Sequence, residues 1–209
     1  MTVLIGHIIS AILQVIVFTL IPFIFFLFRK DKKVSFFKYI GFYKPTYKSV
    51  LFVLLTIIPF LIPSIGLAFV NDTVRQTVLS PDSVTGQLRA LGLSTTTILI
   101  LLVIAVFKTS LSEEILFRGF IAKQLIYRFG FAIGNFVQAS IFGLIHVLLF
   151  SILAKTTIIP LIGIFVFSGF VGWAIGFIKE RYANGSIVPG WIAHGLSNVV
   201  SYYVIAFVL

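Results

Sequence analysis

The sequence predicts an all-α, polytopic transmembrane helix bundle of about six spanning helices in one domain, residues 1–209. Hydrophobic residues make up 59% of the chain and charged residues only 11%, and mean hydropathy is +1.15, which does not suit a soluble domain. Long uncharged stretches separate the charged residues, and a spanning helix needs roughly 20 mostly apolar residues. The stretches are continuously apolar rather than alternating, which favours helices over barrel strands. Six stretches fit, at residues 1–28, 49–71, 90–107, 129–154, 156–178 and 182–209.

The first two stretches are predicted as retained, spanning helices. The first is too long for a signal-peptide core and has no basic region before it. The second contains Pro59 and Pro63, each of which removes a backbone donor, so a kink is expected there.

The connections and the fifth stretch also carry local signals. The segment Arg29–Lys48 mixes aromatic residues with lysines, which is typical of an interfacial amphipathic stretch beside anionic lipid. Small residues recur at Ser168, Gly172 and Gly176 in the fifth stretch and predict a smooth face for close helix contact. No linker or repeat divides the chain.

The net charge of +10 indicates membrane topology rather than binding to nucleic acid, because the basic residues fall in particular connections. The first, third and fifth connections together carry twelve of them, and the positive-inside rule therefore places these connections in the cytoplasm. We expect a multi-pass protein of the cell membrane, in a bacterium the plasma membrane, with both termini external. The chain has no cysteine, which excludes disulfides, thiolate catalysis and cysteine metal sites.

Glu113 and Glu114 follow an uncharged run that ends at Lys108, and ionisable groups at membrane depth are candidate functional residues. On a helix Glu114 and Arg118 are four residues apart, so they are expected to pair. Glu113 points about 100° away and is left without that partner. The alternative is that both glutamates only solvate the end of their helix.

Two histidines lie inside later apolar stretches. In the fourth stretch, Asn135, Gln138, Phe142 and His146 recur at helical spacing, which indicates a polar face toward a wet cavity. In the sixth, His194 shares a helix face with Asn198, four residues later, and Pro189 suits the first turn of that helix. Convergence on one hydrated pocket is the simplest arrangement, since unpaired polar groups are costly in hydrocarbon.

Such a pocket supports two hydrolytic chemistries. A carboxylate and an imidazole can deprotonate a water and direct it at a carbonyl, while a second imidazole and an amide hydrogen-bond the developing oxyanion. Alternatively, Glu113, His146 and His194 supply one oxygen and two nitrogen ligands for a catalytic divalent metal such as zinc. The sequence has no HExxH zinc motif and no serine in a GxSG-type turn.

These residues resemble a known family, the CAAX-protease and bacteriocin-processing membrane proteins, also called the Abi family. Its pattern is EExxxR, FxxxH and HxxxN on successive helices, and the resemblance covers a catalytic core of roughly residues 95 to 205. All seven positions match: Glu113, Glu114, Arg118, Phe142, His146, His194 and Asn198.

The resemblance implies an intramembrane endopeptidase, of glutamate or metallo type, acting on a hydrophobic or membrane-bound peptide or protein. It assigns water activation to Glu113 and His146 and oxyanion binding to His194 and Asn198, with Glu114, Arg118 and Phe142 in support. Eukaryotic members trim prenylated proteins, whereas many bacterial relatives act in bacteriocin immunity, peptide maturation or signalling. A non-catalytic immunity protein is therefore the alternative, and a proton-coupled transporter is a further one, because intramembrane glutamate and histidine also mark proton paths.

Overall fold

The computed structural model describes residues 2–29, 33–153 and 157–209, and its described part is helical, with no strand. Side chains at residues 56–60 and 62–64 are outside the description, so the kink predicted at Pro59 and Pro63 is not addressed by it. The same holds for Lys30, Asp31, Lys32 and Lys155, which the topology prediction counts or places in connections.

The helices follow the predicted apolar stretches, with shorter helices between them. Because uncharged, continuously apolar segments satisfy their backbone groups internally, each of the six stretches lies largely within a helix. The α-helices are α1 (Thr2–Leu27), α2 (Phe36–Ile40), α3 (Tyr47–Val70), α4 (Asp72–Val78), α5 (Val84–Leu91), α6 (Thr95–Leu102), α7 (Ala122–Leu153), α8 (Ile158–Arg181) and α9 (Val188–Phe207).

Two π-helical segments continue α6 toward α7, at Val103–Leu111 and Glu114–Ile121. The helical run therefore extends through Glu113 rather than stopping near Lys108. The run continues into α7, where Gly130, with a φ of 77° and a ψ of 168°, interrupts the helical backbone with a kink. The sequence predictions assumed α-helical spacing throughout, so these wider turns were not predicted. Such turns occur frequently at functional sites.

The fold is a helical membrane bundle. Among the described residues, three helical runs are long and apolar enough to cross a membrane: Thr2–Leu27, the bent run Thr95–Leu153, and Ile158–Arg181. Helix α9, which carries His194 and Asn198, is not among them. The total of about six crossings and the external placement of both termini stay predictions.

Helices α7 and α8 pack closely along the predicted face of small residues. An added Cβ at Gly172 would lie 3.4 Å from the Cα of Ala139. The amide of Gln138 donates to the Gly172 carbonyl over 2.8 Å, and that of Asn135 donates to the Trp173 carbonyl over 3.0 Å. Asn135 and Gln138 are fully buried. The prediction that these two residues face a wet cavity is wrong, because their amide nitrogens donate to the backbone of α8. The side-chain oxygen of Gln138 has no hydrogen-bond partner among the described residues.

The segment around α2 docks on the protein rather than lying free on lipid. Tyr39 and Ile40 are buried, and the Lys123 ammonium donates to the Tyr39 carbonyl over 2.5 Å. The backbone N–H of Ile187 donates to the Gly41 carbonyl over 2.9 Å. This segment thus ties the start of α7 to the turn before α9, and only part of it is available to an interface.

Candidate active site

A buried ion pair stands at the centre of the candidate site, on the second π-helical segment. A guanidinium nitrogen of Arg118 lies 3.2 Å from Oε1 of Glu114, and both side chains are fully buried. The guanidinium carbon also lies 4.1 Å from the centroid of the Phe142 ring, in cation–π contact. The pairing predicted from the spacing of Glu114 and Arg118 is confirmed, and it links this segment to α7.

His194 lies between the two glutamates. Its Nδ1 is 3.3 Å from Oε1 of Glu114, and its Nε2 is 3.8 Å from Oε2 of Glu113. The helical step separates the two carboxylates around the helix axis, but the imidazole has a nitrogen on each of two edges and approaches one carboxylate with each. Glu114 therefore contacts both Arg118 and His194, rather than Arg118 alone.

Glu113 is the more accessible of the two carboxylates. Its side chain is 16% exposed, whereas that of Glu114 is fully buried. Its Oε2 is buried and has no hydrogen-bond partner among the described residues. The distance of 3.8 Å to the His194 ring exceeds a direct hydrogen bond and suits a bridging water.

The rings of His146 and Phe142 are in tilted contact on α7. The two ring centroids are 4.3 Å apart, and the centroid of His194 lies 6.3 Å from that of Phe142, edge to face. The Nδ1 of His146 is 2.9 Å from the Phe142 carbonyl oxygen. Because a carbonyl only accepts, Nδ1 carries a hydrogen, so the tautomer with the lone pair on Nε2 is the one that fits this contact.

Asn198 is held by a residue that the sequence analysis missed. Its amide nitrogen donates to the Ser110 hydroxyl over 3.1 Å, and this hydroxyl in turn donates to the Ala105 carbonyl over 2.7 Å. Ser110 is fully buried. Its position one helical turn before Glu113 was the available signal, but serine is common in membrane helices and matches no motif.

Two further contacts fix α9 beside the π-helical segments. The indole N–H of Trp191 donates to the Val106 carbonyl over 2.7 Å. At Gly190, an added Cβ would lie only 2.8 Å from Oε2 of Glu114 and 2.5 Å from a methyl of Ile175. Only glycine lets the start of α9 approach the buried carboxylate this closely.

A cavity of about 390 Å³ opens beside these residues. Its walls include His146, His194 and Asn198, and α4 and α5 close part of it through Val74 and Val84. The segment between α3 and α6 thus contributes two helices that line the cavity. Glu113 is not among the lining residues, but it contacts His194, which is. The cavity is mostly apolar.

The predicted metal ligands do not form a metal site here. Among the residues that the structure describes, no three histidine, aspartate or glutamate side chains converge closely enough to hold an ion. The Nδ1 atoms of His146 and His194 contact the Phe142 carbonyl and Glu114, which leaves the Nε2 atoms as the nitrogens that a metal could bind. A zinc ion at Glu113, His146 and His194 stays a prediction.

The comparison with known families bears on this same part of the chain. A family model described as type II CAAX prenyl endopeptidase Rce1-like matches residues 95–200, which include Glu113, His146, His194 and Asn198. No curated protein and no solved structure is similar enough to match the chain.

Proposed function

The chain belongs to the Rce1-like family of type II CAAX prenyl endopeptidases, and on that premise we propose that it is an intramembrane endopeptidase using Glu113, His146, His194 and Asn198. The observation that carries the proposal is the position of His194, which contacts both glutamates and lines the cavity. Carboxylates, imidazoles and an amide in one partly dry pocket are the groups that general acid–base hydrolysis requires.

Water activation falls to Glu113 and His146. The unpartnered, buried Oε2 of Glu113 accepts one hydrogen of the water, and the lone pair on Nε2 of His146 accepts the other. The water oxygen attacks the carbonyl carbon as its proton passes to Glu113. When the tetrahedral intermediate collapses, the C–N bond breaks and the leaving amine takes that proton, which restores the carboxylate.

Oxyanion stabilisation falls to His194 and Asn198. With both ring nitrogens protonated, His194 donates to Glu114 through Nδ1 and presents Nε2–H to the developing negative charge. The charges then balance, because the two glutamates face Arg118 and one imidazolium. Asn198 uses one N–H on Ser110 and keeps the second for the oxyanion.

The cavity supports a hydrophobic substrate. Apart from the histidines and Asn198, most of its wall is aliphatic or aromatic, including Leu149, Phe167 and Val171. An apolar side chain or a lipid group attached to the peptide would be buried there, while a charged segment would lose its hydration. We therefore propose a membrane-bound peptide or protein as the substrate.

The test compares the membrane proteomes of cells that produce the wild type and Glu113→Gln at equal levels. Glutamine preserves the shape of the side chain but does not accept the proton of the water, so neo-N-termini present with the wild type should be absent with the variant. Asp82→Asn is the matched control, since Asp82 is exposed and lies outside the site.

The proposal fails if both variants give the cleavage pattern of the wild type. Retained resistance or signalling in Glu113→Gln cells, with no change in any peptide, would favour the non-catalytic immunity protein. Parallel cleavage assays with a strong chelator test the predicted zinc: full activity after prolonged chelation removes the metal from the mechanism.

A further inference from the structure

A second cavity, of about 420 Å³, lies between α1, α2 and the two π-helical segments. Ile40 and Ile115 form its buried floor, and Ile16, Leu20 and Phe37 are exposed at its mouth. We call this cavity the α1 groove. It shares no lining residue with the cavity of the candidate site, and most of its lining precedes residue 95, where the family match begins.

The α1 groove is apolar except at one point. Every lining residue other than Thr19 is aliphatic or aromatic. The Thr19 hydroxyl is buried and has no hydrogen-bond partner among the described residues. Buried hydroxyls are normally paired, so an apolar occupant that also offers an acceptor, such as an ester carbonyl, fits the groove better than a hydrocarbon alone.

Positive charge flanks one end of the α1 groove. The sequence of residues 29–48 carries seven basic residues and one acidic residue, Asp31. Lys38 follows Phe37, which lines the groove. The Arg29 guanidinium lies 4.9 Å over the ring of Tyr39, next to Ile40 in the floor. Basic clusters beside a membrane segment attract anionic headgroups.

We propose that the α1 groove binds an anionic phospholipid. One acyl chain lies along Ile16 and Leu20, and the phosphate is held by Lys33, Lys38 and Arg29. The groove shares no lining residue with the cavity of the proposed peptidase, and lipid binding can be measured without peptidase activity. The lipid would also pack on Leu111 and Ile115, which flank the segment Ser112–Glu114, and so would support the back of the site.

The test is native mass spectrometry of the full chain released from nanodiscs that contain equal amounts of phosphatidylglycerol and phosphatidylcholine. The wild type should retain phosphatidylglycerol preferentially. Leu20→Trp places a bulky indole in the groove and should lower the retained fraction about tenfold, because the indole occupies the space of the acyl chain and the lipid loses its apolar contact there. The matched control is Leu13→Trp, because Leu13 is on the same helix, is 57% exposed and does not line the groove.

A second variant changes only charge and hydrogen bonding, so it does not depend on how the groove tolerates a tryptophan. Lys33→Gln with Lys38→Gln should keep lipid bound but remove the preference for phosphatidylglycerol. Equal retention of both lipids by the wild type would overturn the proposal, and so would unchanged retention in Leu20→Trp. A dimer mass that Leu20→Trp abolishes, with no lipid, would assign the groove to a second copy of the chain instead.

Discussion

The Asn198 amide donates to the Ser110 hydroxyl over 3.1 Å, and the proton of that hydroxyl is committed to the Ala105 carbonyl. Toward Asn198, Ser110 can therefore only accept, which requires the NH₂ end of the amide to face it. The orientation of Asn198, and with it the direction of its second N–H, follows from a residue on another helix. Ser110 is a positioning residue for the proposed oxyanion site.

Ser110→Ala should lower kcat about tenfold with little change in KM. Deleting an oxyanion donor lowers kcat by about 10²–10³-fold, and a donor that is present but misdirected should cost less. The measurement is steady-state cleavage of a substrate identified by the proteomic comparison. Ser110→Thr, which keeps a hydroxyl, should restore most of the rate.

A double-variant cycle separates positioning from general destabilisation. In an Asn198→Ala background, Ser110→Ala should have no further effect on kcat, since there is no amide left to orient. An equal loss in both backgrounds would contradict the positioning role of Ser110 and leave the endopeptidase proposal intact.

The two adjacent glutamates should respond differently to the same conservative change. Glu114→Gln removes one partner of a fully buried ion pair with Arg118, so the free energy of unfolding should fall by about 3–5 kcal/mol. The Glu113 side chain is partly exposed and has no ion pair with an arginine or lysine among the described residues. Glu113→Gln should therefore abolish turnover with little loss of stability. Thermal unfolding of both purified variants in detergent, beside cleavage assays, distinguishes these outcomes.

Arg118→Lys should also be damaging although the charge is kept. The guanidinium both pairs with Glu114 and lies 4.1 Å over the Phe142 ring, whereas a lysine ammonium is a point charge that cannot stack in that way. We expect a loss of about 1–3 kcal/mol in thermal or denaturant unfolding. The control is Arg181→Lys, because Arg181 stacks on Phe131 at 4.3 Å but is exposed. If Arg118→Lys and Arg181→Lys lower the stability equally, burial does not explain the effect at Arg118.

The sequence predicted the helical bundle and the Glu114–Arg118 pair because both depend on local patterns. Continuous apolar stretches allow little other than helices in a bilayer, and residues four apart meet on one turn. The same reasoning failed for Asn135 and Gln138. Helical spacing shows which face a polar side chain occupies, but not whether water or a neighbouring carbonyl satisfies it.

The π-helical segments and Ser110 could not be predicted for a related reason. A π-helical turn depends on contacts from other helices, such as Trp191 on Val106 and Gln14, whose amide donates to the Lys108 carbonyl over 2.8 Å. Those partners are more than 80 residues away in sequence. Without knowledge of these distant contacts, the sequence predicts an ordinary α-helical turn around Glu113 and Glu114.

Close packing between α7 and α8 leads to the last prediction, in which two glycines of one helix should behave oppositely. An added Cβ at Gly176 would lie 2.0 Å from Oδ1 of Asn135 and 3.0 Å from the Gln138 amide nitrogen, whereas at Gly163 it would meet nothing within 4 Å. Gly176→Ala must displace buried, hydrogen-bonded amides and should cost about 1–3 kcal/mol. Gly163→Ala should be neutral or stabilising by up to about 1 kcal/mol through helix propensity. Thermal unfolding of the two variants in the same detergent tests this, and a Gly176→Ala protein as stable as Gly163→Ala would show that α7 and α8 are less tightly packed than described.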